Sequence, residues 1–378
     1  MKFSNIFFFL LLASITSIKA QKSTSPKDPI GLKKFTLSNG LTVLLSENPE
    51  LPQVYGGVVV KAGGKNDPSD ATGIAHYLEH MLFKGTQTMG SIDYAQEKPI
   101  LDKITELYAE LGKTNSEDGR KKIQMEINQQ SIKAADFAIA NELDKILAEM
   151  GSSGVNAFTT EEFTAYHNSF PSNQIERWLD VYSHRFINPV FRLFQSELET
   201  VYEEKNRMMD NGFSLAYEKF MASFYKNHPY GQQSIIGSTV HLKNPPLHKM
   251  YEFYDQYYVA NNMALILSGD FKAEEIMPII EAKFGAWRTG EVPAFPDYKE
   301  DAFKGREVVE VKMTPIKAAV MGFRTVPNGH ADLPALMVCN NLLSNEEQSG
   351  LLDRLITDGE VMATALMPMT YNDNGATG

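Results

Sequence analysis

Apolar positions change period several times along this chain, and each change marks an element. Lys34 to Leu37 and Leu41 to Glu47 flank Asn39-Gly40. Both turn residues tolerate positive φ, so two apolar runs around Asn-Gly predict a β-hairpin. Gly57 to Ala62 is a short unbroken apolar run, the pattern of a buried strand, and the turn-rich stretch Gly63 to Ala71 follows it. Gly73 to Lys84 reads as a helix closed by Gly85. Between Ser91 and Met150 the apolar residues Ile100, Ile104, Leu107, Tyr108 and Leu111 recur at helical spacing, Gly112 interrupts, and a second helical run extends from about Asp118 to Glu149. This stretch predicts a helical hairpin.

Beyond a loop at Gly151 to Gly154, short strands are expected at Val155 to Phe158 and Phe163 to Tyr166. Helices are expected at Ser172 to Phe186, with Pro189 past the end, at Phe194 to Met209, and on a segment bearing Tyr251 and Tyr254 that closes near Tyr258. Met263 to Leu267 reads as a buried strand and Ala273 to Phe284 as a helix. Trp287 to Asp297 carries Gly290, Pro293 and Pro296 and reads as a linker. Strand patterns resume at Val308 to Val311 and Ala318 to Phe323, and a helix at Leu333 to Leu343. Strand, strand, helix is also the order in which the chain begins, so an internal structural repeat is expected. The resulting division is 21–32 linker, 33–286 first domain with an insertion at about 91–150, 287–304 linker, and 305–378 an incomplete second, related domain of a longer protein.

The start of the chain needs a separate reading. Lys2 precedes a mostly apolar run from Ile6 to Ile18, and Ala20 leads into polar residues. This is the pattern of a signal peptide over 1–20, cleaved near Ala20, and it implies an exported protein, periplasmic or secreted. The run is short for a membrane span, and no later segment is long and apolar enough for one, so no stable span is expected after cleavage. The net charge is −11 with the basic residues scattered, which argues against nucleic acid as a partner. Cys339 is the single cysteine, which excludes an intramolecular disulfide and a cysteine-rich zinc site. It follows an apolar run and is expected as a small buried hydrophobe.

The candidate chemistry lies in the helix Gly73 to Lys84. His76 and His80 stand four residues apart, so one helical face can aim both imidazoles at one metal ion. Glu79 lies three residues after His76 and can act as a general base without ligating the ion. A zinc site needs a third protein ligand. The helix Phe194 to Met209 offers Glu197 and Glu204, seven apart on one face with Val201 between them. Glu204 is the candidate ligand and Glu197 a supporting carboxylate, while Glu203 points elsewhere and reads as solvated. His167, His184, His228, His241, His248 and His330 show no ligand spacing and read as surface or core-boundary residues.

GIAHYLEHMLFKGT (Gly73 to Thr86) resembles the zinc helix of the pitrilysin and insulinase family of H-x-x-E-H peptidases. GVNAFTTEEFTAY (Gly154 to Tyr166) is similar to that family's substrate-binding edge strand, and ELETVYEEKNR (Glu197 to Arg207) to the helix bearing its third ligand. HPYGQQSIIGS (His228 to Ser238) and NNMALILSGDF (Asn261 to Phe271) match the later part of the same domain. The resemblance spans about residues 33–284 and, less distinctly, 308–356. His80 and Glu204 are about 124 positions apart, where the family has roughly 75, and the helical hairpin accounts for the surplus.

The resemblance implies an α+β protein made of repeated two-layer α/β sandwich domains of the pitrilysin and mitochondrial processing peptidase type, the second truncated. It implies one Zn2+ per chain on His76, His80 and Glu204, Glu197 supporting them, and Glu79 as catalytic base. It also implies that Asn156 and Ala157 bind substrate along a strand edge. The activity implied is that of a metalloendopeptidase acting on peptides or unfolded polypeptide segments. A second peptidase-like half or a homo-oligomer is the further partner implied. The alternative is a non-catalytic or partner-dependent subunit of the same fold, acting in peptide binding or assembly.

Overall fold

The computed structural model describes residues 30–243, 245–312 and 318–378. The signal-peptide reading therefore lies outside the described residues. The predicted hairpin forms as β1 (Lys33–Thr36) and β2 (Thr42–Glu47). Asn39 secures its turn from the side, donating from Nδ2 to the Phe284 carbonyl at 2.8 Å. β3 (Gln53–Val60) follows, then α1 (Ile74–Met81). The segment expected as an insertion, at about 91–150, contains three helices where two were expected: α2 (Tyr94–Lys113), α3 (Glu117–Ala135) and α4 (Glu142–Glu149). The long second run breaks at Asn141, which adopts φ 56° and redirects the chain into α4.

β4 (Ser153–Thr159) and β5 (Thr164–Pro171) are both longer than their apolar patterns suggested. α5 (Ile175–Arg185), α6 (Phe194–Asp210) and α7 (Gly212–Phe224) come next. The single turns α8 (Pro229–Gln232) and α9 (Thr239–Leu242) precede α10 (Leu247–Tyr257), β6 (Met263–Gly269) and α11 (Ala273–Phe284).

The first six strands form one sheet in the order β1-β2-β6-β3-β5-β4, parallel only at the β2–β6 pair. Strand periodicity explains its single packed face. Val54, Gly56, Val58 and Val60 on β3, and Tyr166, Asn168 and Phe170 on β5, all point to the buried side. Helices cover that side. Trp178 of α5 lies between Phe170 and Tyr182, and a Cβ on Gly56 would come within 2.7 Å of its ring. Glycine at 56 is what lets the indole reach the sheet. This is the expected two-layer α+β sandwich, with β1 at one edge of the sheet and β4 at the other, unpaired on its outer side among the described residues.

Three expectations fail toward the C-terminus. Val308 to Val311 form no strand and are exposed. Ala318 to Phe323 yields only β7 (Phe323–Thr325), which joins β8 (Pro368–Met369) and β9 (Gly375–Thr377) in a small sheet. Cys339 is exposed, on α12 (Leu333–Leu343), as are its neighbours Met337 and Val338. An apolar run reports burial only where a layer lies over it, and none among the described residues covers that face of α12.

Candidate metal centre

α1 carries both histidines and is anchored at each end. At its start Gly73 adopts φ 92°, and a Cβ there would meet Gly237 Cα at 2.8 Å and the Ile236 carbonyl at 2.9 Å. Buried Asp67 accepts from the Gly73 and Ala75 amides at 2.6 and 2.9 Å, satisfying N–H groups that the first helical turn leaves open. Leu78 and Met81 face the core and are fully buried, each contributing about 1.5–3 kcal/mol. α6 lies alongside. Tyr77 donates its hydroxyl to the Phe194 carbonyl at 2.5 Å, and Lys205 Nζ to the Gly237 carbonyl at 2.7 Å, so both halves of α6 are pinned.

That packing brings His76, His80 and Glu204 together. One ligand atom from each lies within 4.8 Å of the others. Glu204 Oε2 is 3.7 Å from His76 Nε2 and 3.6 Å from His80 Nε2. These gaps are long for hydrogen bonds. They suit donors around a shared ion, since tetrahedral zinc with nitrogen and oxygen ligands at ~2.0–2.2 Å holds them roughly 3.4 Å apart. Burial, with the nearby His80, pulls the His76 imidazole down to about 3, leaving it neutral as a ligand must be. Its Nδ1 is buried and has no hydrogen-bond partner among the described residues, so packing rather than a bond orients this ring. His80 differs. Its Nδ1 faces Glu197 Oε1 at 2.8 Å, which fixes the tautomer that frees Nε2. Burial works against the charged form of His80, but the Glu197 hydrogen bond and the carboxylates Glu79 and Glu204 prevail and raise it.

Glu197 lies behind His80, and Lys84 Nζ meets its other oxygen at 2.5 Å. Burial would raise Glu197, yet the bonds from His80 and Lys84 hold it below the ordinary glutamate range. Glu203 is exposed, as expected. Glu79 is 6% exposed beside the two histidines, and burial pushes its carboxyl upward. Thr159 opposes this by donating its hydroxyl to Glu79 Oε2 at 2.6 Å. The sequence reading missed Thr159. The signal was there in alternation, because Thr159 falls two residues after Ala157 and so shares its face. Asn156 and Ala157 do lie on the free edge strand, Asn156 exposed and Ala157 buried. His228 corrects an expectation: it is fully buried rather than at the surface or core boundary, and burial lowers it.

His76, His80, Glu204, Glu197, Glu79, Thr159, Asn156 and Ala157 line one cleft of about 640 Å3. Phe83, Met208, Ile235 and Ile236 make its apolar parts, and Asn141 and Asp144 reach it from the insertion. A two-histidine, one-carboxylate pocket with an unligated glutamate beside it, on an α+β sandwich with an open strand edge, defines a metallopeptidase-like protein. The family model described as Insulinase (Peptidase family M16) matches residues 42–98 and 117–237, and that described as Peptidase M16 inactive domain matches 247–378. The chain belongs to this pitrilysin and insulinase peptidase family.

It is 23% identical over 348 residues to the uncharacterized zinc protease YmxG of Bacillus subtilis, covering 91% of this chain and 72% of that one. It is 24% identical to the mitochondrial-processing peptidase subunit beta of Bos taurus, covering 89% of this chain and 58% of the relative. The crystal structure of a protease from Helicobacter pylori matches its fold with a TM-score of 0.66 at 20% identity, over 92% of this chain and 73% of that one. Of several curated relatives the chain spans only 51% to 58%.

Proposed function

We propose that this protein is a zinc-dependent endopeptidase that hydrolyses peptides or unfolded polypeptide segments, with one zinc ion held by His76, His80 and Glu204. The observation that carries this reading is the approach of Glu204 Oε2 to His76 Nε2 at 3.7 Å and to His80 Nε2 at 3.6 Å, the three ligand atoms lying within 4.8 Å of one another, with Glu79 adjacent. The bound metal would supply Lewis acidity toward the scissile carbonyl and acidify water in the site. Glu79 takes a proton from the attacking water and delivers it to the departing amine. Thr159 orients Glu79, and Glu197 orients His80. The free edge of β4, at Asn156 and Ala157, receives the substrate backbone as an added strand, which tolerates many sequences. The unit 33–286 holds the site, and the segment from 305 begins a second unit. We also read the protein as exported, to the periplasm or the medium, from its charged and then apolar start.

A second reading has its own support. Residues 247–378 match a domain described as inactive, and the chain spans about half the length of several relatives. A subunit that binds peptide, or that needs a partner half to cleave it, fits those facts. Metal content and cleavage of an unstructured peptide, measured for the parent and for Glu79→Gln, separate the readings. One zinc in both, with turnover reduced at least about a thousandfold in the variant, is expected of the peptidase. Zinc in both and cleavage in neither favours the subunit. Absence of zinc from both sinks the ligand assignment.

A further inference from the structure

The insertion does more than lengthen the chain between His80 and Glu204. Its last helix, α4, turns back toward the metal centre, and Asn141 and Asp144 line the same cleft as His76, Glu79 and the β4 edge. The approach is built. Glu142 accepts the Gly90 amide in a short bond, the Ile139 amide donates to the Gly90 carbonyl at 3.0 Å, and the Ile92 amide to the Phe137 carbonyl at 2.8 Å. The loop following α1 and the start of α4 are therefore stitched together. Asn141 adopts φ 56° at the helix start, and its side chain caps nothing.

Charge distinguishes Asp144 from the other acids of the cleft. Glu197 is engaged by Lys84 and His80, Glu79 by Thr159, and Glu204 faces both histidines. Asp144 is exposed and has neither ion-pair nor hydrogen-bond partner among the described residues. An aspartate in the first helical turn is favourable toward the helix dipole. That explains an acid on α4 but not its opening into a peptide cleft. On the reading above, we propose that the insertion is a specificity wall. Asp144, assisted by Asn141, receives a lysine or arginine side chain flanking the scissile bond, so that substrates basic at that position are preferred. Arginine fits best, because its fork can bond a carboxylate and an amide oxygen together.

Two peptides identical except for arginine or glutamine beside the cleaved bond provide the test, with the parent, Asp144→Asn and Asp144→Lys. The readout is the ratio of kcat/KM between the peptides. Parent protein favours the arginine peptide, Asp144→Asn reduces that ratio about tenfold through KM, and Asp144→Lys reverses it; raising the salt narrows the parent's ratio. An unchanged ratio in both variants overturns the proposal. A parent that cleaves neither peptide counts against the peptidase reading instead. Binding of both peptides to Glu79→Gln, with and without Asp144→Asn, then decides the specificity question: equal loss for both peptides, or for neither, overturns it.

Discussion

Glu79 is subject to two opposed effects. Burial pushes its carboxyl above the ordinary glutamate value, which suits a base that must also hand on its proton, and the Thr159 hydroxyl at 2.6 Å pulls it back. Only the ionised form can accept a proton, so kcat/KM falls on the acid side as Glu79 protonates. Thr159→Val removes a donor that favours the ionised form. The carboxyl then rises further, and the acid limb of the profile moves to higher pH. At a fixed acidic pH the variant is expected to lose about tenfold, as the roughly 1.5–3 kcal/mol of a hydrogen bond to a charged group allows. The alkaline plateau should change less. A pH profile of kcat/KM checks this, and a limb that stays or moves to lower pH removes Thr159 from the role.

At the scale of elements, the helical segment that begins with α2 is attached through a buried ion pair. Arg192, 1% exposed, bonds the carboxylate of Glu97, 0% exposed on α2, at 2.9 and 3.2 Å. The same guanidinium donates to the carbonyls of Lys84, Thr86 and Met89, so it holds the loop that leaves α1. Removing one member strands the other charge in the interior. Arg192→Met is expected to cost about 3–5 kcal/mol in urea unfolding, and the double change with Glu97→Met should recover part of it. If the double variant is as unstable as the single, the carbonyl contacts rather than the pair carry the cost.

This pair also shows which parts of the fold were legible in sequence. The hairpin at Asn39-Gly40, α1, α6 and β6 announce themselves by local period and turn chemistry. The spacing of His76, Glu79 and His80 is likewise local, and Glu204 needed only a second helix of plausible chemistry. Glu97 meeting Arg192, or Thr159 meeting Glu79, is set by tertiary packing between residues 95 and 80 positions apart, which no local pattern encodes. Val308 to Val311 failed for a related reason: β-patterned residues become a strand only beside a partner.

Over the whole molecule, the sheet edge and the small C-terminal sheet are linked through one turn. Glu162, just past β4, accepts from Tyr230 Oη at 2.6 Å, Lys65 Nζ at 3.1 Å and Asn372 Nδ2 at 2.7 Å. Glu161 accepts from Tyr371 Oη at 3.0 Å, and Lys65 also reaches Asp373 at 2.7 Å. The turn thus bridges Thr159, which touches Glu79, to the strand pair β8–β9. Charge-assisted bonds of this kind contribute about 1.5–3 kcal/mol each where partly buried, and the Lys65–Glu162 pair is largely shielded from water. Glu162→Ala removes the common acceptor of Tyr230, Lys65 and both nitrogens of Asn372, and leaves Tyr230 and Lys65 competing for Asp373. Local opening at 370–376 should then need less free energy, and those amides should exchange with deuterium at least about tenfold faster. Amides of β3 and β6, in the middle of the large sheet, should keep their protection. If exchange rises across both sheets together, Glu162 stabilises the fold as a whole. If it rises only at 370–376, the turn is a local clasp between the strand edge and the small C-terminal sheet.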